Sequence, residues 1–302
     1  MTTSAVIVNP SKVVDLEGRR AEICSVLAAA GWAEPLWLET TPDDPGCGMA
    51  EQAVEAGVEV VLACGGDGTV MAVASVLAGT DVALALIPSG TGNLLATNVG
   101  VTRDVAAALA VATGGERRRI DVGVVEDAGT FTVMAGMGFD AAMVGETPDD
   151  RKARFGWVAY VVTGLRNLRR RRMRLRIRLD DGPWLRRRAS TVLVANVGRL
   201  QGGIPLLPDA HVDDGWLDVA VLSPRHLTDW AKLAWGVLRR RERPPRLETF
   251  RARSVEVRTG REEPRELDGD VVAPARRLVA RVRPGALLLC VPGATTSRRP
   301  GV

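Results

Sequence analysis

Histidine and aromatic residues are scarce in this chain, and their scarcity narrows the chemistry open to it. Of 302 residues only His211 and His226 are histidines, which removes most histidine-based metal sites and disfavours a Ser-His-Asp triad. Aromatic residues make up 4%, and no helix-turn-helix or zinc module accompanies the arginines. We therefore expect no nucleic-acid partner, and catalysis that depends on carboxylates.

Long apolar runs and paired cysteines are absent as well. No run approaches the ~18 consecutive apolar residues that cross a bilayer, and the N-terminus lacks a basic leader. The four cysteines show no spacing typical of zinc sites or disulfide frameworks. These absences favour a cytoplasmic protein with neither a spanning helix nor a disulfide framework.

The pattern of apolar residues changes near residue 120. Before it, short apolar runs alternate with helical stretches, which predicts a parallel α/β layer. The run at 58–63 is continuously apolar, as in a strand buried on both faces, and it leads directly into glycines. After residue 120, short strands with turn signals predict an antiparallel domain, interrupted by helices at 155–168 and 227–239.

The glycines form the segment Gly65-Gly66-Asp67-Gly68-Thr69, between a predicted strand and a predicted helix. Here the backbone N–H groups and the positive helix end can bind phosphate, while Asp67 can bind Mg²⁺ or its water and Thr69 can donate its hydroxyl. The alternative is a plain strand-to-helix turn. The segment has no phosphate-loop lysine, and its glycine spacing does not fit a dinucleotide fingerprint.

A second loop, Pro88-Ser89-Gly90-Thr91-Gly92-Asn93, follows the next predicted strand. Because parallel strands end at the same edge of a sheet, we expect both loops to contact one ligand. Taken alone, this segment is also typical of a proline-initiated turn with a capping asparagine.

Two acidic segments follow in the second half of the chain. Asp268-Gly269-Asp270 places two carboxylates across a glycine, and on chemistry alone either could be a general base; the alternative is an acidic hairpin turn. Asp213-Asp214-Gly215 offers oxygen ligands suited to Mg²⁺, or is a simple turn between strands.

These segments together resemble the catalytic family of bacterial diacylglycerol kinases, sphingosine kinases and ceramide kinases. The resemblance extends from about residue 6 to 291. It includes further blocks in the family's order: Ile120-Asp121-x-Gly123, Gly136-Met137-Gly138-Phe139-Asp140, Asn196, Pro208-Asp209-Ala210, Asp213-Asp214-Gly215-x-Leu217-Asp218 and Leu267-Asp268-Gly269-Asp270.

The resemblance implies a fold of α/β plus all-β class. An N-terminal α/β nucleotide-binding domain of the NAD kinase/diacylglycerol kinase-like type, residues 1–124, is expected to be rejoined by about 286–302. A C-terminal β-sandwich, residues 125–285, is expected to receive the lipid. ATP would lie in a cleft with the lipid alcohol entering beside it.

The resemblance also implies residue roles. Asp268 would be the catalytic base. The ATP contacts would be Thr40, Gly65, Gly66, Asp67, Gly68, Thr69, Gly90, Thr91 and Asn93. The magnesium ligands would be Asp67 and Asp121, with a second, structural Mg²⁺ held by the Asp214 carboxylate and the backbone oxygens of His211 and Trp216. Two positions depart from the family: Leu94 replaces an aspartate of the magnesium network, and Asp270 replaces a glutamate.

Arginines are concentrated at 166–178, 186–188 and 239–246. Strict alternation of arginine and apolar residues at 174–179 predicts a strand with one basic face, suited either to an anionic membrane surface or to solvent. We expect a cytoplasmic, peripherally membrane-associated lipid kinase and leave a homodimer open. The alternatives are a soluble-substrate kinase of the NAD kinase type and a non-catalytic nucleotide- or membrane-binding relative.

Overall fold

The computed structural model describes residues 1–138, 172–199, 205–224, 228–229 and 246–293. Two compact units are present, one of Met1–Ile120 with the segment from Gly285 onward, the other of Asp121–Pro284. The helix predicted at 155–168 lies outside the described residues, and of the one predicted at 227–239 only residues 228–229 are described. Among the described residues, no helix has the length and apolar character needed to cross a membrane.

The first unit alternates strands and helices. Their bounds are β1 Ser4–Val8, α1 Leu16–Ala29, β2 Leu36–Glu39, α2 Cys47–Glu55, β3 Val60–Gly65, α3 Asp67–Leu77, β4 Ala83–Pro88, α4 Leu94–Val99 and α5 Val105–Gly114, with a 3-10 turn at Pro10–Lys12. The strands are parallel in the order β2-β1-β3-β4. Every residue of β1, β3 and β4 is buried, as expected for a parallel sheet covered on both faces.

The part of the second unit that the structure describes is built mainly of strands. Their bounds are β5 Glu116–Val125, β6 Gly129–Phe131, β7 Met134–Met137, β8 Met173–Leu179, β9 Leu185–Ala189, β10 Thr191–Ala195, β11 Leu217–Leu222, β12 Leu247–Ala252, β13 Ser254–Leu267 and β14 Asp270–Val291. They pair antiparallel in the order β12-β11-β10-β7-β13, with β8 and β14 also on β13 and β9 on β8. The far end of β14 pairs in parallel with β4, at Leu289 and Leu84, inside the first unit.

Strand β8 shows why the antiparallel unit forms from this sequence. Met173, Leu175 and Ile177 are buried in its core, whereas the arginines between them face outward. This period of two is the pattern of a strand that buries one face, and it confirms the predicted basic face. The predicted fold class, an α/β unit followed by an all-β unit, is confirmed as well.

Candidate active site

The first glycine loop joins β3 to α3. Gly65 ends the strand, Gly66 caps the helix and Asp67 begins the first helical turn. Because a helix leaves its first N–H groups without partners in its own turn and its dipole is positive at this end, the loop can bind a phosphate. A Cβ added at Gly65 would lie 2.7 Å from the Cβ of Thr69, so a larger residue does not fit there.

The second glycine loop packs against the first through backbone. A Cβ added at Gly90 would lie 2.5 Å from the Cα of Gly66. Asn93 closes the second loop, since it accepts the Gly90 N–H at 3.2 Å and donates to the Gly90 carbonyl at 2.7 Å. Its own φ of 50° is a left-handed conformation that asparagine adopts more readily than most residues. The loops therefore form one main-chain surface in which small size is essential.

Asp67 ties the two loops together. Its carboxylate accepts the N–H of Asn93 at 2.8 Å and the N–H of Leu94 at 2.6 Å, at the start of α4. Burial raises the pKa of Asp67, and the two backbone N–H groups lower it in part. Leu94 thus contacts Asp67 through its backbone, a contact that does not depend on the aspartate side chain found in the family. The role of Asp67 toward magnesium stays a prediction.

Three predicted nucleotide contacts lie with these loops at the carboxyl edge of the parallel sheet. Thr40 follows β2 and donates its N–H to the Val8 carbonyl at 2.9 Å. The Thr69 hydroxyl accepts a hydrogen bond from Asn9 at 3.4 Å. The carbonyl of Thr91 accepts a hydrogen bond from Arg103. Open α/β sheets bind ligands at this edge, so the structure brings the predicted residues together where a nucleotide could bind.

Asp268 lies in the second unit and is 8% exposed. One carboxylate oxygen accepts the N–H of Thr132 at 2.7 Å and its hydroxyl at 2.9 Å. The other accepts the N–H groups of Val133 at 2.9 Å and Met134 at 2.8 Å. A carboxylate has about four acceptor positions, so both oxygens are fully engaged. Burial raises the pKa of Asp268 to about 6, against the opposing effect of these hydrogen bonds.

The Asp268-Gly269 pair forms the two-residue turn between β13 and β14. Both residues have positive φ, 48° and 96°, and Leu267 pairs with Asp270 across the turn. Asp-Gly is typical of such type I′ hairpins. Glu266 accepts the N–H of Gly269 at 2.8 Å. Burial, together with the charges of Asp268 and Asp270, raises the pKa of Glu266 to about 7, against the opposing effect of the hydrogen bond from Gly269. The interpretation of this segment as an acidic hairpin turn thus describes its backbone correctly. No motif in the sequence pointed to Glu266.

Asn196 connects this turn to the second acidic segment. Its side-chain amide donates to the Asp121 carbonyl at 2.8 Å and to the Thr132 carbonyl at 3.1 Å. Asp121, 2% exposed, in turn accepts the N–H of Gly215 at 2.6 Å through its carboxylate. Blocks that are more than 140 residues apart in sequence, from Asp121 to Asp268, therefore form one hydrogen-bond network.

The loop predicted to hold the structural Mg²⁺ has few side-chain ligands to offer. One Asp214 oxygen accepts the N–H of Trp216 at 3.0 Å, and the other is paired with Arg251. Within the described ranges no three His, Cys, Asp or Glu side chains converge on a common point. Nearby, one oxygen of Asp218 is buried and has no hydrogen-bond partner, and burial raises the pKa of this group to about 6. The side chains alone do not fit a metal site, so a cation here would depend on the carbonyls of His211 and Trp216.

Comparison with known proteins agrees with this arrangement. Residues 3–125 match the diacylglycerol kinase catalytic domain, and residues 132–291 match the YegS C-terminal NAD kinase beta sandwich-like domain. A protein of Cronobacter sakazakii named "Probable lipid kinase YegS-like" is 31% identical to this chain, and the match covers 80% of this chain and 81% of that protein. A protein of the same name from Klebsiella pneumoniae is 36% identical over 59% of this chain, and the match covers 60% of that protein. A crystal structure of a diacylglycerol kinase from Bacillus anthracis superimposes with a TM-score of 0.79 at 23% identity, covering 96% of each chain.

The fold and the paired glycine loops define the diacylglycerol kinase-like class of proteins, as the resemblance predicted. Within that class, the chain belongs to the YegS-like family of probable lipid kinases.

Proposed function

We propose that the chain transfers the γ-phosphate of ATP to the hydroxyl group of a lipid alcohol such as diacylglycerol. One observation supports this proposal in a chain of the YegS-like family. The two glycine loops are in contact at the carboxyl edge of the parallel sheet, and Asp67 links one loop to the other. Kinases catalyse phosphoryl transfer chiefly by positioning the reactants and stabilising charge. The first turn of α3 supplies N–H groups and a positive helix end for the phosphates.

Magnesium is proposed to enter with the nucleotide as MgATP. Mg²⁺ is usually held by one or two carboxylates together with substrate phosphates, rather than by an all-protein cage. We propose that the carboxylate of Asp67, in the first unit, is a ligand of this Mg²⁺. Asp121 is the second magnesium ligand that the family resemblance implies, and we keep that role as a proposal. Its carboxylate also accepts the N–H of Gly215 and so holds that loop in place.

The base that accepts the proton of the lipid hydroxyl is proposed to come from the turn of Asp268 and Asp270. The family resemblance assigns the role to Asp268, whose pKa of about 6 suits proton acceptance near neutral pH. Its acceptor positions are filled, however, so it would first have to release Thr132, Val133 or Met134. Asp270, exposed at the first residue of β14, is therefore the second candidate.

The variants Asp268→Asn and Asp270→Asn assign the base. Replacing the base should lower kcat by about 100-fold or more while nucleotide affinity, measured with a fluorescent ATP analogue, is retained. Activity is expressed per folded molecule, from circular dichroism of the same sample, because Asp268 also holds the β6–β7 turn. A larger kcat loss for folded Asp268→Asn assigns Asp268, whereas a larger loss for Asp270→Asn assigns Asp270. Near-normal turnover of both would place the base outside this turn.

An acceptor panel tests the proposed substrate class. The purified chain is incubated with labelled ATP, Mg²⁺ and neutral detergent micelles that contain diacylglycerol, a sphingoid base, ceramide or a polyprenol, with NAD and sugar phosphates in parallel. We expect label in one of the lipids. Label only in a soluble acceptor would support an NAD kinase-type enzyme, and ATP binding without any transfer would support a non-catalytic relative. We also propose that the protein works in the cytoplasm, peripherally bound to the membrane that contains its substrate.

A further inference from the structure

One side of the antiparallel sheet in the second unit is covered with arginines. Seven arginines lie there on four neighbouring strands, β9, β8, β13 and β14, and six of these arginines are exposed. We call this surface the arginine face, and it consists of Arg174, Arg176, Arg178, Arg186, Arg188, Arg258 and Arg277. Directly paired residues of antiparallel strands point to the same side of a sheet, so the pairing register places these side chains together.

Four of these arginines form a row across the four strands. Arg186 pairs with Arg176, Arg176 with Arg258, and Arg258 with Arg277. Neighbouring strands lie about 4.8 Å apart, so the row is roughly 14 Å long. Like charges placed directly opposite one another destabilise a sheet. A row of this kind therefore works against the stability of the fold, and an anionic partner would relieve that repulsion.

Few carboxylates offset the charge of the arginine face. Within the described residues, its ion pairs involve Glu256 and Glu126. Glu256 is 4% exposed and accepts hydrogen bonds from Arg178, Arg258 and Arg277 at 2.7 to 2.8 Å. Although burial raises its pKa, these hydrogen bonds lower the pKa of Glu256 to about 2, so it stays charged. Two carboxylates leave the face of seven arginines strongly positive.

Trp184, in the turn before β9, orders part of this surface. The guanidinium groups of Arg176, Arg178 and Arg258 lie 5.7, 5.0 and 4.9 Å from the ring centroid. Such cation–π contacts hold long side chains in place and reduce the entropy that they would lose on binding a partner. Tryptophan is also a residue typical of membrane interfaces.

We propose that the arginine face docks the protein onto a bilayer that contains anionic phospholipid. This inference rests on the proposed function, because a lipid alcohol with long acyl chains is available only in a membrane. Each arginine close to an anionic bilayer adds to the attraction. A single-stranded nucleic acid is a poorer match, because it needs aromatic rings on which its bases stack. Here the ring of Trp184 is already in contact with guanidinium groups.

Vesicle flotation of the full chain tests the docking surface. Wild type is compared with Arg174→Gln/Arg176→Gln/Arg186→Gln and with the control Arg19→Gln/Arg20→Gln/Arg117→Gln, which removes the same charge from the first unit. On vesicles of phosphatidylcholine with phosphatidylglycerol, the arginine-face variant should bind on the order of 100-fold more weakly, and the control as wild type. Added salt should weaken wild-type binding. Because the variant loses like-charge pairs, its thermal midpoint should be equal to or above that of wild type.

Several results would overturn the inference. These are equal binding of the two triple variants, equal binding of wild type to pure phosphatidylcholine, or tighter binding to nucleic acid than to anionic vesicles. Turnover on diacylglycerol in neutral micelles separates this inference from the proposed function. The arginine-face variant should keep wild-type turnover there if only docking is lost. Wild type that binds vesicles but phosphorylates no lipid would contradict the proposed function and leave the docking surface in place.

Discussion

The candidate sites of the two units are built by different means. In the first unit, two glycine loops touch through their backbones, and closeness of main chain matters most at Gly66 and Gly90. In the second unit, buried carboxylates organise the backbone, and Asp268 alone accepts four hydrogen bonds. Substitutions in the first unit should therefore act through side-chain size and affect binding. Substitutions in the second should act through charge and hydrogen bonding, and they should affect stability as well as turnover.

The largest effect on the use of ATP is expected at Gly90. In Gly90→Ala the new Cβ would lie 2.5 Å from the Cα of Gly66, so the loops must separate. A displacement of about 1 Å at a reactive centre can cost about 100-fold in rate, and we expect a loss of this order in kcat/KM for ATP. Gly114→Ala is the matched control, since its Cβ meets nothing within 4 Å. Equal activity of the two alanine variants would show that the loops are not a tight main-chain surface.

Asp268→Asn should lower stability, in addition to any loss of kcat that follows from its proposed role as the base. In asparagine an NH₂ group replaces one of the two carboxylate oxygens. This NH₂ group would face the N–H donors of Thr132 or those of Val133 and Met134, which would lose their acceptor. Leaving buried donors without an acceptor costs about 1–3 kcal/mol each, so the free energy of unfolding should fall by about 3 kcal/mol. Chemical denaturation measures it, with Asp270→Asn as the exposed control. If Asp268→Asn is as stable as Asp270→Asn, the four hydrogen bonds to Asp268 do not contribute to the free energy of unfolding.

Glu266 should make stability depend on pH. Its pKa of about 7 in the folded protein exceeds the ordinary glutamate value, 4.5, so its contribution is fully present below about pH 4.5 and is lost as the pH rises through 7. Asp268 acts in the same direction, with a pKa raised to about 6. The free energy of unfolding should fall over this interval, by on the order of 1–3 kcal/mol, and the decline should be smaller in Glu266→Gln. The exposed Glu262→Gln should decline like wild type, and a decline unchanged in Glu266→Gln would contradict the assignment.

The smallest effect is expected at Thr132. Thr132→Val removes the hydroxyl that donates to Asp268 at 2.9 Å but keeps the backbone N–H bond and the side-chain shape. One hydrogen bond to a carboxylate contributes about 1.5–3 kcal/mol, and the remaining three donors should limit the loss to about 1 kcal/mol. Thr130→Val, on β6 two residues earlier, is the control. If Thr132→Val lowered the free energy of unfolding as much as Asp268→Asn, the stabilisation would come from the Thr132 hydroxyl and not from all four donors.

The two sites also differ in how far the sequence predicts them. Gly65-Gly66-Asp67-Gly68-Thr69 and the Pro88 loop are each contiguous, and parallel strands must end at one edge, so their meeting could be predicted from sequence. The Asp67 link to the backbone of Asn93 and Leu94 could not be predicted, because every residue except proline can supply an N–H group. The same limit applies to the donors around Asp268, which belong to Thr132, Val133 and Met134.

Burial and long-range pairing account for the rest of what the sequence did not indicate. The chemistry of the Asp268 segment predicted a base or a hairpin turn, and the structure has the hairpin, with the carboxylate directed inward. Glu266 and Asp218 are ordinary acidic residues in the sequence, and only their strands' positions in the sheet bury them. By contrast, the alternation in β8 predicted the arginine face directly, although not the row that extends through Arg258 to Arg277.

The position of the transferred label tests the central claim most directly. The full chain is given diacylglycerol in neutral micelles with ATP labelled either in the γ-phosphate or in the α-phosphate, and the lipid is separated and counted. We expect label in the lipid from γ-labelled ATP only, and labelling about 100-fold slower with the Gly90→Ala variant. Absence of lipid label from every lipid alcohol tried, or equal transfer from both labelled forms, would contradict γ-phosphate transfer to a lipid alcohol.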